Sequence, residues 1–261
     1  MSREEQKEAF GALLDVLDEL REKCPWDRKQ TNESLRANTI EETFELADAL
    51  MKDDVQDICK ELGDVLLHVC FYAKIADEQG RFDIGVVCDK LRRKLIFRHP
   101  HVYGEEVAQS AADVSQLWEK VKQKEKDGNK TVLSGVPDAL PSLIKAYRIQ
   151  DKARNVGFDW SKREDVWTKV HEEVDELRAE LEKEDLENST NEFGDFIFSL
   201  INAARLYNIN PDNALERTNR KFIHRFNYIE SKAKEQGREL GSMTLDEMET
   251  LWNEAKHINK D

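Results

Sequence analysis

The chain of 261 residues carries 54 acidic against 40 basic side chains, a formal charge of -14, so its overall field repels phosphate backbones and extended nucleic-acid binding is not expected. Hydrophobic residues make up 39% and charged residues 36%, with only eleven glycines and five prolines, a composition that favours long amphipathic helices over a turn-rich β architecture. The apolar run from Val65 to Ala73 is far too short to span a bilayer and the start, Met1 to Lys7, has no apolar signal core, which points to a soluble, cytoplasmic protein long enough for two ordinary domains.

In chain order, amphipathic periodicity predicts helices over residues 4–22, 31–52, 55–79, 83–98 and 110–125. A polar stretch, Lys126-Asp127-Gly128-Asn129-Lys130-Thr131, followed by Ser134-Gly135, Pro137 and Pro141, then breaks the pattern. Helices resume over 138–154, 163–184, 187–207, 211–235 and 244–257, and no strand is predicted. The expected organisation is all-α, with an N-terminal domain at 1–125, a linker at 126–137 and a C-terminal domain at 138–261. Cys24, Cys59, Cys70 and Cys88 form no Cys-x-x-Cys pair and read as reduced, mostly buried thiols.

The halves echo each other. Glu41-Glu42-Thr43-Phe44-Glu45 recurs as Glu172-Glu173-Val174-Asp175-Glu176, and Glu61-Leu62-Gly63-Asp64 as Glu192-Phe193-Gly194-Asp195, each acidic position displaced by 131 residues. With 54 acidic residues in the chain, five specified acidic positions match by chance at about 4 in 10,000 starting points, so finding the spacing twice is informative where one match would not be. Small gaps align Trp26-Asp27 with Phe158-Asp159, Lys94 and Arg98 with Lys221 and Arg225, and Trp118 with Trp252. Two copies are too few for a solenoid, so the pattern predicts two similar globular domains from a tandem duplication.

Residues three apart on a helix share a face, so Glu173 with Glu176, and Glu192 with Asp195, each form a two-carboxylate shelf. A short connection near Lys183 to Glu187 makes the two helices antiparallel neighbours whose shelves face each other. Four carboxylates brought together repel one another unless a hard cation intervenes; oxygen-only ligands suit Mg²⁺, or Mn²⁺ in its place, and Mg²⁺ commonly bridges carboxylates to substrate phosphates. Lys221 and Arg225, spaced i, i+4, can clamp phosphate, as can Lys94 and Arg98. Trp252 either covers a base or fills a core. Mid-helix Gly63 and Gly194 suggest close approach of a neighbouring helix or ligand. His99 and His101 read as capping and packing residues, and Glu254-Ala255-Lys256-His257 lacks the second Glu-x-x-His that a di-iron bundle needs.

On Glu-Glu-x-x-Glu followed by Glu-x-x-Asp in both halves, the chain resembles the MazG family of nucleoside triphosphate pyrophosphohydrolases, of the tandem-domain kind. Cys24-Pro25-Trp26-Asp27, Arg98-His99-Pro100-His101-Val102, Val156-Gly157-Phe158-Asp159-Trp160 and the run from Asn219 to Phe226 extend the resemblance over nearly the whole chain. It implies two tandem helical domains, four-helix active units formed by homodimerisation, and Mg²⁺-dependent hydrolysis of canonical and noncanonical or deoxy nucleoside triphosphates to monophosphate and pyrophosphate, a nucleotide-pool housecleaning activity. It further implies metal ligation by Glu173, Glu176, Glu192 and Asp195 in a catalytic C-terminal domain. Catalytic roles would fall on Glu172, Glu173, Lys221 and Arg225, and substrate contacts on Lys169, Glu172, Lys221, Arg225 and Trp252. The N-terminal copy keeps Glu42, Glu45, Glu61 and Asp64, with Lys94 and Arg98, as a second site. Relatives specialised for dUTP, dCTP or phosphoribosyl-ATP, and a non-catalytic interaction protein, are the alternative readings.

Overall fold

The computed structural model describes residues 1–108, 110, 113, 114, 117, 121 and 131–258; the predicted helix at 110–125, Trp118 and the first part of the 126–137 linker lie largely or wholly outside them. The described elements are helical, with no strand among them. The chain divides into two compact units, Met1–Val107 and Ala108–Asp261.

In the first unit, α1 (Arg3–Lys23) starts from a capping box in which Ser2 and Glu5 satisfy each other's backbone N–H groups. Thr31 and Ser34 form the same device ahead of α2 (Asn32–Lys52). Asp53 ends α2 in the left-handed conformation at φ 54°, and Asp54 caps α3 (Val55–Glu78) by accepting from Gln56 N and Asp57 N. This two-residue reversal lays α2 and α3 side by side as an antiparallel pair, the most extensive helix contact of the unit. The helices α4 (Ile84–Arg98) and α5 (Pro100–Tyr103) follow. Leu17, Leu35, Cys70, Phe71 and Ile75 form the core, with Phe10, Leu14, Tyr72 and Ile84 packed around it.

In the second unit, α6 (Ser142–Arg154) begins only after Pro141, four residues later than periodicity predicts. Pro137 and Pro141 bracket a turn in which Leu140 N donates to Pro137 O, at 3.3 Å. The predicted 163–184 helix is a 3₁₀ turn at Arg163–Asp165 leading into α7 (Val166–Glu182). Glu184, at φ 57°, reverses the chain, and Asp185 caps α8 (Leu186–Leu206). Again the antiparallel pair α7 and α8 is the dominant contact, built on Val166, Val170 and Ala203. The pair α9 (Pro211–Glu235) and α10 (Leu245–Ile258) packs Ile229, Ala233, Met243 and Leu251 into a separate core. All four cysteines are free, but only Cys70 is buried, contrary to the expectation of mostly buried thiols, because Cys59 and Cys88 lie on the outward faces of α3 and α4.

Candidate metal and phosphate site

In the first unit, the α2–α3 reversal brings Glu42 and Glu45 opposite Glu61, each offering a carboxylate oxygen within 4.8 Å of the others. Lost hydration raises the Glu42 carboxyl above its ordinary pKa, and the neighbouring Asp64, Glu45 and Glu61 charges add to the effect. Lys60 Nζ donates to Glu61 Oε1 at 2.6 Å and stands 3.9 Å from Asp64. The second Glu61 oxygen, Oε2, is buried with no hydrogen-bond partner. An orphaned carboxylate oxygen facing two more carboxylates fits a hard divalent cation, which would repay its desolvation.

The second unit repeats the arrangement on α7 and α8. Glu173, Glu176 and Glu192 present oxygens within 4.8 Å of one another, Glu173 being buried. Glu192 is raised above the ordinary carboxyl pKa by lost hydration first and then by the charges of Glu176, Asp195 and Glu173. Asp195 therefore stands beside the three-carboxylate group without being one of its mutually closest members. Lys169 Nζ bridges Glu172 and Glu173 at 2.7 Å each, and these hydrogen bonds hold its ammonium well above its ordinary pKa. The donor set contains only oxygen, which suits Mg²⁺ or Mn²⁺ better than softer metals.

Here the two units diverge. Glu173, Asp195 and Lys169 form part of the wall of a cavity of about 630 Å³ that continues between α6, α7 and α8. Its lining is mostly apolar, with Phe158, Trp160 and Phe198 as aromatic surfaces. Gly157, at φ 91°, turns the chain over the cavity mouth: Gly157 N donates to Arg154 O and Phe158 N to Ala153 O, closing the end of α6 in the manner of a Schellman motif. Arg205, only 4% exposed, reaches from α8 to pair with Asp159 through both Nη atoms. Burial works against the Asp159 charge, but the Arg205 hydrogen bonds, the Trp160 N–H and the nearby cations outweigh it, and its carboxyl lies below the ordinary value. In the first unit the acidic cluster opens instead onto a polar pocket lined by residues including Glu41, Asp48 and Asp57.

Other expected site residues stand elsewhere. Lys221 is exposed on α9, while Arg225 lies 5.4 Å over the Trp252 ring and Phe222 packs against the same indole at 5.0 Å. None of Lys221, Arg225 and Trp252 lines the cavity that holds Glu173. Lys94 and Arg98 occupy the last turns of α4 and likewise do not line the pocket at Glu61. A Cβ at Gly63 or Gly194 would meet nothing within 4 Å, so of the two expected causes, a neighbouring helix or a ligand, the helix is not found among the described residues. Sequence reasoning missed Gln150, Asn202 and Arg205 of the cavity wall; the signal available was Arg205, the one charged residue in the second half of α8.

The description of a MazG nucleotide pyrophosphohydrolase domain matches this chain twice, over residues 30–103 and 162–229. A nucleoside triphosphate pyrophosphohydrolase of Escherichia coli is 37% identical over 251 residues, covering 94% of this chain and 95% of that protein. The nucleoside triphosphate pyrophosphohydrolase/pyrophosphatase MazG of Thermotoga maritima is 40% identical over 250 residues, 95% of each chain. An uncharacterized Bacillus subtilis protein is 44% identical over 255 residues, 96% of this chain but 52% of that longer protein.

Proposed function

The chain belongs to the MazG nucleotide pyrophosphohydrolase family and is a hydrolase of that kind, and from this premise we propose that it cleaves nucleoside triphosphates, canonical and noncanonical or deoxy, to monophosphate and pyrophosphate in an Mg²⁺-dependent reaction. The observation that carries the reading is the convergence of Glu173, Glu176 and Glu192 within 4.8 Å on a segment that the family description matches. Glu173, Glu176, Glu192 and Asp195 are the proposed metal ligands. Bound there, the cation would supply charge neutralisation for the triphosphate and acidify an attacking water. The water oxygen bonds to the α phosphorus, the bond from that phosphorus to the oxygen bridging to the β phosphorus breaks, and pyrophosphate leaves with that oxygen.

The chain's own groups divide the remaining work. Lys169, kept cationic by Glu172 and Glu173, donates to phosphate oxygen. Glu172, exposed on α7 next to the ligands, orients the water or contacts substrate. Lys221 and Arg225 stabilise charge developing on the phosphates, with Trp252 against the substrate. The acidic cluster Glu42, Glu45, Glu61 and Asp64, with Lys94 and Arg98, is the proposed second metal site, and residues 126–137 are the proposed linker between the copies. Exposed apolar residues on the paired helices, among them Phe193, Ile197 and Leu200, support a homodimer as the working unit. No helix among the described residues is long and apolar enough to cross a membrane, and nucleotide-pool housecleaning in the cytoplasm is the proposed setting.

Pyrophosphate release from a nucleotide panel, with and without Mg²⁺, tests the reading on wild type, Glu42→Gln and Glu173→Gln. Activity that needs Mg²⁺ and vanishes in Glu173→Gln is the expected result. Loss only in Glu42→Gln would move catalysis to the first unit, and no pyrophosphate from any nucleotide would remove the hydrolase assignment.

A further inference from the structure

The cavity beside Glu173 presents a polar edge whose orientation is locked from behind. Gln150, 6% exposed, donates from Nε2 to the Phe198 carbonyl at 2.8 Å, which commits its amide nitrogen and leaves Oε1 buried without a partner. A carbonyl opposite Nε2 admits only this amide orientation. Asn202 is fixed in the converse sense: its Oδ1 accepts from Arg205 Nε at 3.2 Å and Nη2 at 2.8 Å, and Arg205 is itself clamped by Asp159. Among the described residues the Asn202 amide nitrogen has no acceptor. Both residues stand in the cavity wall, and each has one half of its amide engaged and the other, an acceptor on Gln150 and a donor on Asn202, unpartnered. An orphaned buried amide oxygen is destabilising unless a ligand supplies a donor.

The first unit provides an internal contrast. Its α3 and the second unit's α8 begin at Val55 and Leu186, the same 131-residue displacement as the carboxylates, so positions correspond one for one. Val166, Ser199 and Asn202, three lining residues of the cavity, correspond to Leu35, His68 and Phe71. Each replacement is bulkier. Phe71 is 3% exposed and packs with Leu35 in the first core, and the His68 Nδ1 atom and Thr39 hydroxyl are 3.0 Å apart. Arg205 corresponds to Lys74, which pairs with Asp18 at 2.7 Å rather than clamping a neighbouring amide. The first unit keeps the acidic cluster but packs bulkier side chains at these three positions, and the pocket at its cluster is lined by other residues, Phe44, Asp48 and Asp57 among them.

We infer that Gln150 and Asn202 are specificity-determining residues that read the hydrogen-bonding edge of the substrate's nucleobase, in a cavity that the first unit does not reproduce at the corresponding positions. This inference rests on the hydrolase reading above. The carboxylates and Lys169 hold the phosphates at one part of the cavity wall, and the base lies against Phe158, Trp160 or Phe198 with an N–H toward Gln150 Oε1 and an acceptor toward Asn202 Nδ2. Every common base offers a donor beside an acceptor on its pairing edge, so the wild-type pair is expected to accept several bases. Reversing one member should bias the choice.

The test measures kcat and KM for four nucleoside triphosphates in wild type, Asn202→Asp and Gln150→Met, with inorganic tripolyphosphate as a competing ligand that lacks a nucleoside. Asn202→Asp keeps the acceptor for Arg205 and replaces the donor with oxygen. It should change the ratio of kcat/KM between bases at least tenfold while leaving the tripolyphosphate inhibition constant unchanged. Gln150→Met should raise nucleotide KM severalfold with kcat retained. Asn202→Phe, the residue of the first unit, should abolish nucleotide turnover while binding of Mn²⁺, read by electron paramagnetic resonance, persists; the milder Asn202→Asp keeps the test decisive if that variant does not fold. Wild-type turnover with unaltered base ratios in Asn202→Asp, or a parallel rise in the tripolyphosphate constant, would overturn this inference alone. Absence of pyrophosphate from every nucleotide with wild type would instead overturn the hydrolase reading on which it rests.

Discussion

Replacing Arg205 with Met isolates the energetic weight of the pair that braces the cavity wall. The side chain of Arg205 is 3% exposed and that of Asp159 18%, so Met fills the aliphatic path of Arg205 and leaves a largely desolvated carboxylate without its cation. Removing one partner of a buried pair costs about 3–5 kcal/mol, and because Asp159 keeps some water the lower end, about 3 kcal/mol, is expected. In a unit of this size each kcal/mol shifts the melting temperature by about 2–4 °C, giving a drop of roughly 6–12 °C. The assay is urea denaturation of the full chain followed by far-UV circular dichroism, with Asp159→Leu and the double variant alongside. Removing both charges should recover most of the loss, with a coupling of at least about 2 kcal/mol. The pH dependence has a defined sign. The folded Asp159 pKa lies below its ordinary value of 3.8, so the stabilisation is present above that value and is lost as pH falls through the folded pKa. A cost below about 1 kcal/mol for Arg205→Met, or strict additivity in the double variant, would refute the buried-pair argument, since that is the range of exposed ion pairs.

Three further outcomes follow from the same structure. With Glu42→Gln as background to silence the first unit's cluster, Glu173→Gln should weaken Mn²⁺ binding at least tenfold, whereas Glu172→Gln, outside the three-carboxylate group, should leave it unchanged; equal losses by isothermal titration would dissolve that division of roles. Arg238 and the Thr244 N–H lower the Glu247 carboxyl to about 2, so the start of α10 should be protected above the ordinary glutamate value and loosen as pH falls from about 4.5 toward 2. Amide hydrogen exchange would register this, and Glu247→Gln should lack that part of the pH dependence. Gly194→Ala should stabilise the isolated subunit by about 0.5–1 kcal/mol in urea, because the added methyl meets open space in a helix interior; destabilisation would show that the space is not open.

The helices and the two carboxylate shelves were legible in the sequence because both depend on short-range spacing. Amphipathic periodicity set α1 to within a residue at each end, and the i, i+3 glutamates define a shared face before any tertiary contact exists. Elements bounded by special backbone conformations were less legible: Pro141 delayed α6, and the 3₁₀ turn at Arg163–Asp165 replaced the first turn of a predicted helix. The duplication itself was a pattern in sequence, since a constant displacement of 131 residues needs no coordinates to detect.

What only the tertiary structure decided is how unlike the two copies are. Spacing treats the two carboxylate clusters alike, yet what lines the space beside each depends on side-chain volumes at positions distant in sequence, brought together by the α2–α3 and α7–α8 packing. Phe71 and Asn202 each occupy an unremarkable place in a helix, and only close packing turns the first into core and the second into cavity wall. Gln150 gains a meaning when Phe198 takes its nitrogen and nothing takes its oxygen. Periodicity records which face of a helix is apolar, whereas cavities and orphaned hydrogen-bonding groups arise from the sum of several faces, which no single stretch of sequence contains.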